Sequence, residues 1–428
     1  MSTPPPTEYR LDGIYRQRQD GFFMQRVKLA AGVISAAQAR VVAAAATRFG
    51  QGTLHLTTRG SLEIHWLQET DLPEVKRLLA TVGLTSRGAC GGAVRGVTCS
   101  SQGAIGFPQV EALARRLHRH FTANPRFERL PKKFKIGIEA DGTGRRQLIQ
   151  DVGLVLTDGA AEVPHYDLYV AGGLGREPQA GFLFEAAVSE NRIIPVIEAI
   201  ARVYAAHTPA GKRIKHLVRE IGEQEFRRRV VLEPSYLEEL PPTSGLPEGL
   251  VTVAGNRRVE VRFFGGVITA GQLEELADIA AERSEGVLMA TADQDIAFHI
   301  DGAFDPEDTA GTLQAAGFEL EGTTFRICPG SHLCRVGLSP TLDVARAITD
   351  SMGPSARAFS WALSGCPNSC TQPQLADVGI VSSSLVKDDN GERTPRFDLY
   401  RLNSEGLGTA VESSLTLEEL CCAVRELG

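Results

Sequence analysis

The chain contains an internal repeat, and this repeat constrains the fold more than any other feature. Residues 27–65 and 261–299 align without a gap at an offset of 234, with 12 identities in 39 positions. Each copy predicts a strand, a turn at which Ser35 or Thr269 caps a helix of about fourteen residues, and a second strand. The paired His65 and His299 close the two copies, and we expect a structural role for both.

A fainter repeat follows each copy. The segment that starts at Asp151, DVGLVLTD … HYDLYVAGG, resembles the segment that starts at Asp377, DVGIVSSS … RFDLYRLNS, at an offset of 226. The sequence therefore predicts a duplicated α+β chain, in which each half is a small unit followed by a larger mixed domain. The copies differ in charge, since Arg59 of the first aligns with Asp293 of the second. This difference favours a single anion site, built by the first half.

Four cysteines near the C-terminal end carry the strongest chemical signal. Cys328 and Cys334 have the spacing C-x5-C, and Cys366 and Cys370 have the spacing C-x3-C. Four thiolates from two loops suit a cubane iron–sulfur cluster. A structural zinc site is the alternative, although its paired cysteines usually lie closer in sequence. Disulfides need an oxidising compartment, and the N-terminal residues lack the apolar segment of a signal peptide.

Basic residues recur in the first half of the chain. Arg59 lies in LTTRG, Arg95 in GACGGAVRGVTC, and Lys133 and Lys135 in LPKKFKIGIE. The last segment predicts a strand on which both lysines face one side and Phe134 the other, so the lysines could line a cavity. A solvated sheet edge is the alternative. Residues 211–230 are also strongly basic and predict a helix with a charged, solvated outer face that could also bind an acidic electron donor.

Composition limits the classes of function. The net charge is −7, which provides no field for nucleic acid, and no run of 18 apolar residues predicts a membrane helix. We therefore expect a soluble cytoplasmic protein. Neither a G-x-G-x-x-G fingerprint at the start of a βαβ unit nor a Walker A loop is present, so a redox enzyme of this sequence needs electrons from another protein.

Together these motifs resemble one family, the siroheme-dependent sulfite and nitrite reductases. The resemblance spans nearly the whole chain, in the order TTR, GACG…R, LPxKFK, DLYVAGGLG, C-x5-C, GCPNSC and ADVG. It implies an α+β fold with two ferredoxin-like half-domains and two mixed α/β siroheme and iron–sulfur domains, related by a pseudo-twofold axis. We place the half-domains at residues 1–75 and 241–305, and the larger domains at residues 76–240 and 306–428.

The resemblance also implies cofactors and roles. Cys328, Cys334, Cys366 and Cys370 would bind a [4Fe–4S] cluster, and the Cys370 thiolate would be shared with the iron of siroheme. Asn368, in the same loop, would contact the cofactor. Siroheme carries eight carboxylates, which need a cationic pocket. The basic residues implied to surround the substrate anion on the distal face are Arg59, Arg95, Lys133 and Lys135, and the two arginines would also bind the cofactor.

Two departures from the family pattern stand close to this site. Many members have glutamine after TTR, where this chain has Gly60, and asparagine after the arginine of the GACG segment, where it has Gly96. Both differences remove a polar side chain beside the expected haem.

The substrate signals conflict. The segment GCPNSCTQPQLADVG resembles ferredoxin nitrite reductases, whereas Lys135 resembles sulfite reductases, because nitrite enzymes commonly have asparagine there. We favour six-electron reduction of sulfite to sulfide, because a second ammonium group suits a dianion. Ferredoxin or a flavoprotein is the expected donor. The alternatives are reduction of nitrite to ammonia, a precorrin-3B synthase, against which Lys135 argues, and a binding module held together by zinc.

Overall fold

The computed structural model describes residues 6–241, 249–252, 257–387 and 391–427. Its strands are β1 Ile14–Arg16, β2 Phe22–Val27, β3 Val33–Ser35, β4 Thr53–Leu56, β5 Leu62–Gln68, β6 Ile136–Glu139, β7 Val152–Asp158, β8 His165–Val170, β9 Phe182–Ser189, β10 Arg258–Val261, β11 Val267–Thr269, β12 Val287–Ala290, β13 Ile296–His299, β14 Phe325–Ile327, β15 Trp361–Ser364, β16 Val378–Lys387, β17 Arg393–Arg401 and β18 Thr409–Leu415.

The α-helices lie between and after these strands. They are α1 Pro6–Leu11, α2 Ala36–Phe49, α3 Leu72–Thr81, α4 Phe107–Phe121, α5 Glu190–His207, α6 Ile214–Ile221, α7 Glu223–Val231, α8 Ala270–Arg283, α9 Pro306–Ala315, α10 Gly330–Leu333, α11 Thr341–Ser351 and α12 Leu417–Glu426. None of the helices in the described ranges is both long enough and apolar enough to cross a membrane.

The first repeat folds as predicted. Helices α2 and α8 are each fourteen residues long. The side chain of Ser35 accepts a hydrogen bond from the backbone N–H of Gln38, and Thr269 accepts the equivalent bond from Gln272; both ends are complete capping boxes. Two donors that would otherwise remain unpaired are thus satisfied at each helix start, which fixes where the helices begin.

The two small units exchange an edge strand. One sheet has the order β1-β2-β5-β4-β11, and the other has the order β10-β13-β12-β3. Strand β11 of the second copy pairs antiparallel with β4, placing Thr269 opposite Thr53. Strand β3 of the first copy pairs in the same way with β12, placing Ser35 opposite Val287. At the offset of 234, β3 corresponds to β11 and β4 corresponds to β12, so each copy gives an edge strand to the sheet of the other. The two sheets share one apolar core.

The two larger sheets repeat each other as well. They have the orders β6-β7-β8-β9 and β14-β15-β16-β17-β18. In each sheet a parallel pair, β6 with β7 or β15 with β16, is followed by antiparallel strands. A Cβ atom at Gly153 would lie 2.3 Å from the carbonyl oxygen of Gln147, and one at Gly379 would lie 2.1 Å from that of Pro373. The duplicated α+β fold is therefore confirmed.

Two local predictions were wrong. Strand β6 begins at Ile136 rather than at the KFK segment, although Phe134 forms an isolated bridge with Val94. The basic residues 211–230 form two helices instead of one, because Gly222, with φ of +79°, ends α6 and begins α7. A left-handed residue cannot continue a helix, and glycine adopts that conformation without a steric penalty.

Candidate active site

The four cysteines come from neighbouring loops. Cys328 directly follows β14, and Cys366 follows β15, its parallel neighbour. The carboxyl ends of parallel neighbours meet at one edge of a sheet, so the CPGSHLC and GCPNSC loops lie side by side. The backbone N–H of Gly365 donates to the sulfur of Cys328 over 3.1 Å. Short helix α10 lies between Cys328 and Cys334 and returns the second sulfur to the same edge.

The charges of these thiols influence one another. Burial raises the pKa of Cys328 and of Cys334, and it raises the pKa of Cys366 to about 11. In all three cases a negative charge on Cys370 raises the pKa further. Coulombic interaction falls with distance, so one charge that acts on three other sulfurs indicates that the four are gathered at one place.

The four sulfurs do not all lie within 4.8 Å of one another. Within the described residues, the one group of three metal-type side chains with ligand atoms within 4.8 Å of one another is His55, Glu63 and His65. Any three of the cysteine sulfurs therefore include a pair further apart than that. A tetrahedral site with Zn–S bonds of about 2.3 Å would hold its sulfurs roughly 3.8 Å apart. Four thiolates from two adjacent loops are the ligand set of a cubane cluster.

The His55, Glu63 and His65 group is an ion-pair network. One carboxylate oxygen of Glu63 accepts two N–H groups of Arg26, and the other lies 3.5 Å from Nδ1 of His55 and 3.4 Å from Nε2 of His65. The amide nitrogen of Gln294 lies 3.2 Å from Nε2 of His55, and the same nitrogen donates to the carbonyl oxygens of Leu56 and Ile327. The three side chains lie on the paired strands β4 and β5, and the structural role expected for His65 stays a prediction.

Cys370 differs from the other three cysteines in that its side chain is exposed. Its carbonyl oxygen accepts a hydrogen bond of 2.8 Å from the hydroxyl of Thr58, in the TTR segment of the first half. Gln372 returns a hydrogen bond of 3.0 Å to the carbonyl oxygen of Thr58. In addition, the charge of Cys370 acts on the pKa of Lys133. The exposed thiol thus faces the basic residues of the first half.

The two arginines of the basic set are held by uncharged groups. Arg59 donates to the side-chain oxygen of Gln150 over 3.1 Å and to the carbonyl oxygen of Gly96 over 2.8 Å. Arg95 donates to backbone carbonyls of the turn at residues 88–91 over 3.2 and 2.8 Å. These contacts fix the direction of both guanidinium groups without neutralising them, so their charge remains available to an anion.

The basic side chains repel one another. Burial, together with Arg95 and Arg26, lowers the pKa of Arg59 to about 9. Burial also lowers the pKa of Lys133 to about 8, against the charge of Cys370. Burial, Lys133 and Arg59 hold the pKa of Lys135 well below its usual range. A pocket in which several cations are partly desolvated and repel one another gains free energy when an anion enters.

Comparison with known proteins agrees with this geometry. The family model for the nitrite/sulfite reductase ferredoxin-like half domain matches residues 15–82, and the model for the nitrite and sulphite reductase 4Fe-4S domain matches residues 93–237. The chain belongs to the nitrite and sulfite reductase family. The second match covers the copy that carries the basic residues, whereas the cysteines lie in the other copy.

Sulfite reductases and nitrite reductases both match this reductase over almost its whole length. A sulfite reductase [ferredoxin] of Mycolicibacterium paratuberculosis is 26% identical over 93% of this chain and 79% of its own length. A ferredoxin–nitrite reductase of Synechococcus elongatus is 28% identical over 99% of this chain and 90% of its own length. The structure of the Mycobacterium tuberculosis NirA protein superposes with a TM-score of 0.82 at 24% identity, covering 98% of this chain and 85% of that one, which establishes the same fold.

The reductase is an oxidoreductase whose cofactors are siroheme and a [4Fe–4S] cluster. Its residues fit both groups. Two adjacent loops supply four cysteines, the ligand set of the cluster, and Cys370 is exposed and interacts with Lys133, one of the cations that a carboxylate-rich tetrapyrrole needs. Asn368 is exposed in the same loop, and its backbone and side chain hydrogen-bond to Cys366.

Three polar residues of this region were missed as functional by the sequence analysis. Arg213 and Lys215 lie within the basic segment that was expected to be solvated, yet both are buried. Arg213 forms a buried ion pair with Asp151. Lys215 donates to the carbonyl oxygens of Gly173 and Leu174, in the DLYVAGGLG segment. The sequence signal for these residues was the presence of two motifs, the basic segment and the AGGLG turn. The two motifs belong to different elements and come into contact only in the folded chain.

Close contacts with neighbouring backbone explain the two glycines that depart from the family pattern. Gly60 has φ of +56°, and a Cβ atom there would lie 2.9 Å from both the carbonyl oxygen of Ala290 and the Cα atom of Gly32. At Gly96 a Cβ atom would lie 3.2 Å from the carbonyl oxygen of Leu29. A glutamine at position 60 therefore requires a different backbone path, and the reductase builds this wall of the pocket from main chain.

Proposed function

We propose that the reductase converts sulfite to sulfide with six electrons supplied by an external donor protein. The observation that carries the proposal is the pair of ammonium groups, Lys133 and Lys135, beside Arg59 and Arg95. These four cations, next to an Asp151 carboxylate that is already paired with Arg213, match a dianion better than a monoanion. The wider class, a siroheme and iron–sulfur reductase of sulfite or nitrite, rests on the relatives of both kinds.

The proposed roles follow from the chemistry of each side chain. Arg59 and Arg95 are oriented by neutral acceptors, so they attract and orient the anion through charge. Lys133, whose burial lowers its pKa to about 8, is suited to release a proton near neutral pH as oxygen leaves the substrate. Lys135 adds the second ammonium group. When bound, siroheme supplies the iron that the substrate coordinates, and the cluster supplies electrons one at a time.

Cys370 is proposed as the thiolate shared between the cluster and siroheme. Its exposure supports this, because a shared ligand must reach past the cluster toward the second group. The hydrogen bond from Thr58 fixes its backbone against the half that carries the cations. The electron donor is proposed to be a ferredoxin or a flavoprotein, and the printed names of the relatives support the former.

We also propose the unit boundaries and the compartment. The ferredoxin-like units would span residues 1–75 and 241–305, and the larger units residues 76–240 and 306–428. A cytoplasmic location suits cysteines that are all free, because that compartment keeps thiols reduced.

The substrate assignment is tested by steady-state assays with a reduced dye and either anion. Lys135→Asn should lower kcat/KM for sulfite more than for nitrite, since it removes one positive charge from the pocket. The matched control is Lys132→Asn, which removes an exposed lysine three positions away and should leave both rates unchanged. An unaltered ratio of the two specificities in Lys135→Asn would refute the assignment.

Reduction of nitrite to ammonia is the second candidate. The GCPNSC loop, in which Ser369 precedes the last cysteine, favours it, and so does the 28% identical nitrite reductase. A higher kcat/KM for nitrite than for sulfite in the unaltered enzyme would establish this alternative.

A further inference from the structure

A buried carboxylate holds the backbone of Lys135 in place. Asp151 has no exposed surface, and its Oδ2 atom accepts the backbone N–H of Lys135 over 2.8 Å. The carbonyl oxygen of Lys135 accepts the backbone N–H of Val152 over 3.0 Å. Both backbone groups of the lysine are thus bonded to consecutive residues of one segment. This fixes the dihedral angles of Lys135 and therefore the direction in which its side chain leaves the main chain.

Arg213 in turn orients the carboxylate. Its Nη2 atom donates to Oδ2 of Asp151 over 2.8 Å, and its Nε atom donates to Oδ1 over 3.2 Å. This fork has one geometry, because the planar guanidinium engages both oxygens at once. A third hydrogen bond of 3.2 Å ties Arg213 to the carbonyl oxygen of Gly172. A Cβ atom at Gly173 would lie 2.4 Å from Nη1, so the adjacent glycine is required for this close approach.

The second half of the chain contains an equivalent hydrogen bond between an aspartate and a backbone N–H, but it has no lysine at the corresponding position. Strand pairing places Ile136 opposite Val152 and Trp361 opposite Val378, so Ser360 stands where Lys135 stands in the first copy. The backbone N–H of Ser360 donates to Oδ2 of Asp377 over 2.8 Å, the distance found for Lys135 and Asp151. The hydroxyl of Ser360 donates to the same oxygen over 2.7 Å. The carboxylate thus anchors the neighbouring strand in both halves, and in the first half it is combined with a lysine and Arg213.

We propose that the Asp151–Arg213 pair positions Lys135 for the anion, which makes both members positioning residues of the reaction; this inference rests on the proposed function. The carboxylate is fully engaged by the backbone N–H and the guanidinium fork, so it acts through Lys135. It also places a negative charge beside Lys133 and Lys135, partly balancing the charge of Arg59 and Arg213. The pair thus fixes where the ammonium group lies.

The test compares Asp151→Asn with Asp377→Asn, the equivalent change in the other half. For Asp151→Asn we expect kcat per bound siroheme to fall on the order of tenfold to hundredfold, as misplacement of a group by about 1 Å does. The dissociation constant of sulfite, titrated through the visible absorbance of the oxidised enzyme, should rise. Asp377→Asn should lower thermal stability while both values per bound siroheme stay unchanged.

A second readout needs no turnover. Acetic anhydride labels lysines according to their exposure and charge, and mass spectrometry resolves each site. Labelling of Lys135 should change in Asp151→Asn and in Arg213→Lys, which keeps the charge but loses the fork, and should stay unchanged in Asp377→Asn. Arg213→Lys supplies the answer where Asp151→Asn does not fold.

The outcomes separate the two proposals. Unchanged kcat per siroheme and unchanged labelling of Lys135 in folded Asp151→Asn or Arg213→Lys would overturn the positioning role. If the unaltered enzyme reduces neither sulfite nor nitrite, the proposed function fails, while the labelling comparison still decides whether the pair positions Lys135.

Discussion

At the scale of single residues, exposure distinguishes Cys370 from its three partners. The charge of Cys370 raises the pKa of Cys328 and Cys366 and opposes the lowering of the pKa of Lys133, so this side chain interacts with both the sulfur set and the basic set. Under the proposed assignment, replacing its sulfur by oxygen removes one cluster ligand and the link to the second cofactor at the same time. We therefore expect Cys370→Ser to lose both the cluster and the siroheme absorbance that depends on it.

Iron content and the visible spectrum after anaerobic purification check this prediction. Cys422→Ser is the matched control, because Cys422 is an exposed thiol on α12, outside the cysteine loops. The control should keep full iron content. Retention of both cofactors in Cys370→Ser would show that the shared thiolate is wrongly assigned.

A second residue-scale prediction concerns Asp293, the counterpart of Arg59 in the repeat. Burial opposes its ionisation, but Arg146 and Arg326 outweigh burial and hold the pKa of Asp293 well below its usual range. The distances to these guanidinium groups are 2.8 and 3.0 Å. A carboxyl with a depressed folded-state pKa stabilises above its unfolded value of about 3.9, and this contribution is lost as the pH falls below that value.

Asp293→Asn should therefore lower the free energy of unfolding by about 2 kcal/mol at pH 7, because two guanidinium groups lose a partly exposed counter-ion. The difference should shrink as the pH falls below 4. Urea denaturation measures both effects. Asp278→Asn is the control, since Asp278 forms an exposed ion pair with Arg40 that is worth less than about 1 kcal/mol. Equal losses in the two variants at pH 7 would contradict the prediction.

At the scale of secondary-structure elements, the reciprocal exchange of β3 and β11 depends on tight turns. Gly32 precedes β3 with φ of +80°, and a Cβ atom there would lie 2.1 Å from the carbonyl oxygen of Ala290 in β12. Gly52 has a similar φ of +69° but no atom within 4 Å of the added Cβ. The two glycines share the backbone requirement and differ only in the contact with the other half.

Gly32→Ala should consequently destabilise the chain more than Gly52→Ala. The left-handed conformation alone costs an alanine about 1–2 kcal/mol, which both variants lose, and the clash with Ala290 adds to this in Gly32→Ala alone. Thermal unfolding of the two variants side by side gives the difference. Similar melting temperatures would mean that the contact between β3 and β12 tolerates displacement.

The same elements show how far the sequence predicts the structure. Local signals placed both fourteen-residue helices correctly, because Ser35 and Thr269 cap them through contacts three residues away. The exchange of edge strands was not foreseen, since either sheet could have paired within its own copy with the same hydrophobic pattern. Likewise Arg213 looked solvated, because its partner Asp151 lies 62 residues earlier and the burial of both depends on tertiary packing.

At the scale of the whole molecule, the two halves of the duplicated chain contribute different residues to the candidate site. The first half carries the basic side chains and the second carries the cysteines. Hydrogen bonds from side chains of the first half to backbone carbonyls of the second join the two. Thr58 bonds to Cys370 across the boundary, and the guanidinium of Arg18 donates to the carbonyl oxygen of Gly337 over 2.6 Å. Under the proposed site assignment neither half holds all the site residues, so we expect activity only when the two halves are assembled.

Folding also requires both halves, because each half supplies an edge strand to the sheet of the other. A chain divided between residues 241 and 249 would leave β4 without β11 and β12 without β3, exposing unpaired edges and part of the shared core. Each half produced alone should therefore aggregate, whereas the two halves produced together should elute from a sizing column as a 1:1 complex. The control is the intact chain with a protease site inserted between residues 241 and 249, cleaved after folding, which should remain associated because the strand pairs already exist. A monomeric half that unfolds cooperatively by itself would show that the exchange contributes little to stability, and the core would then have to be divided between two independently folding units.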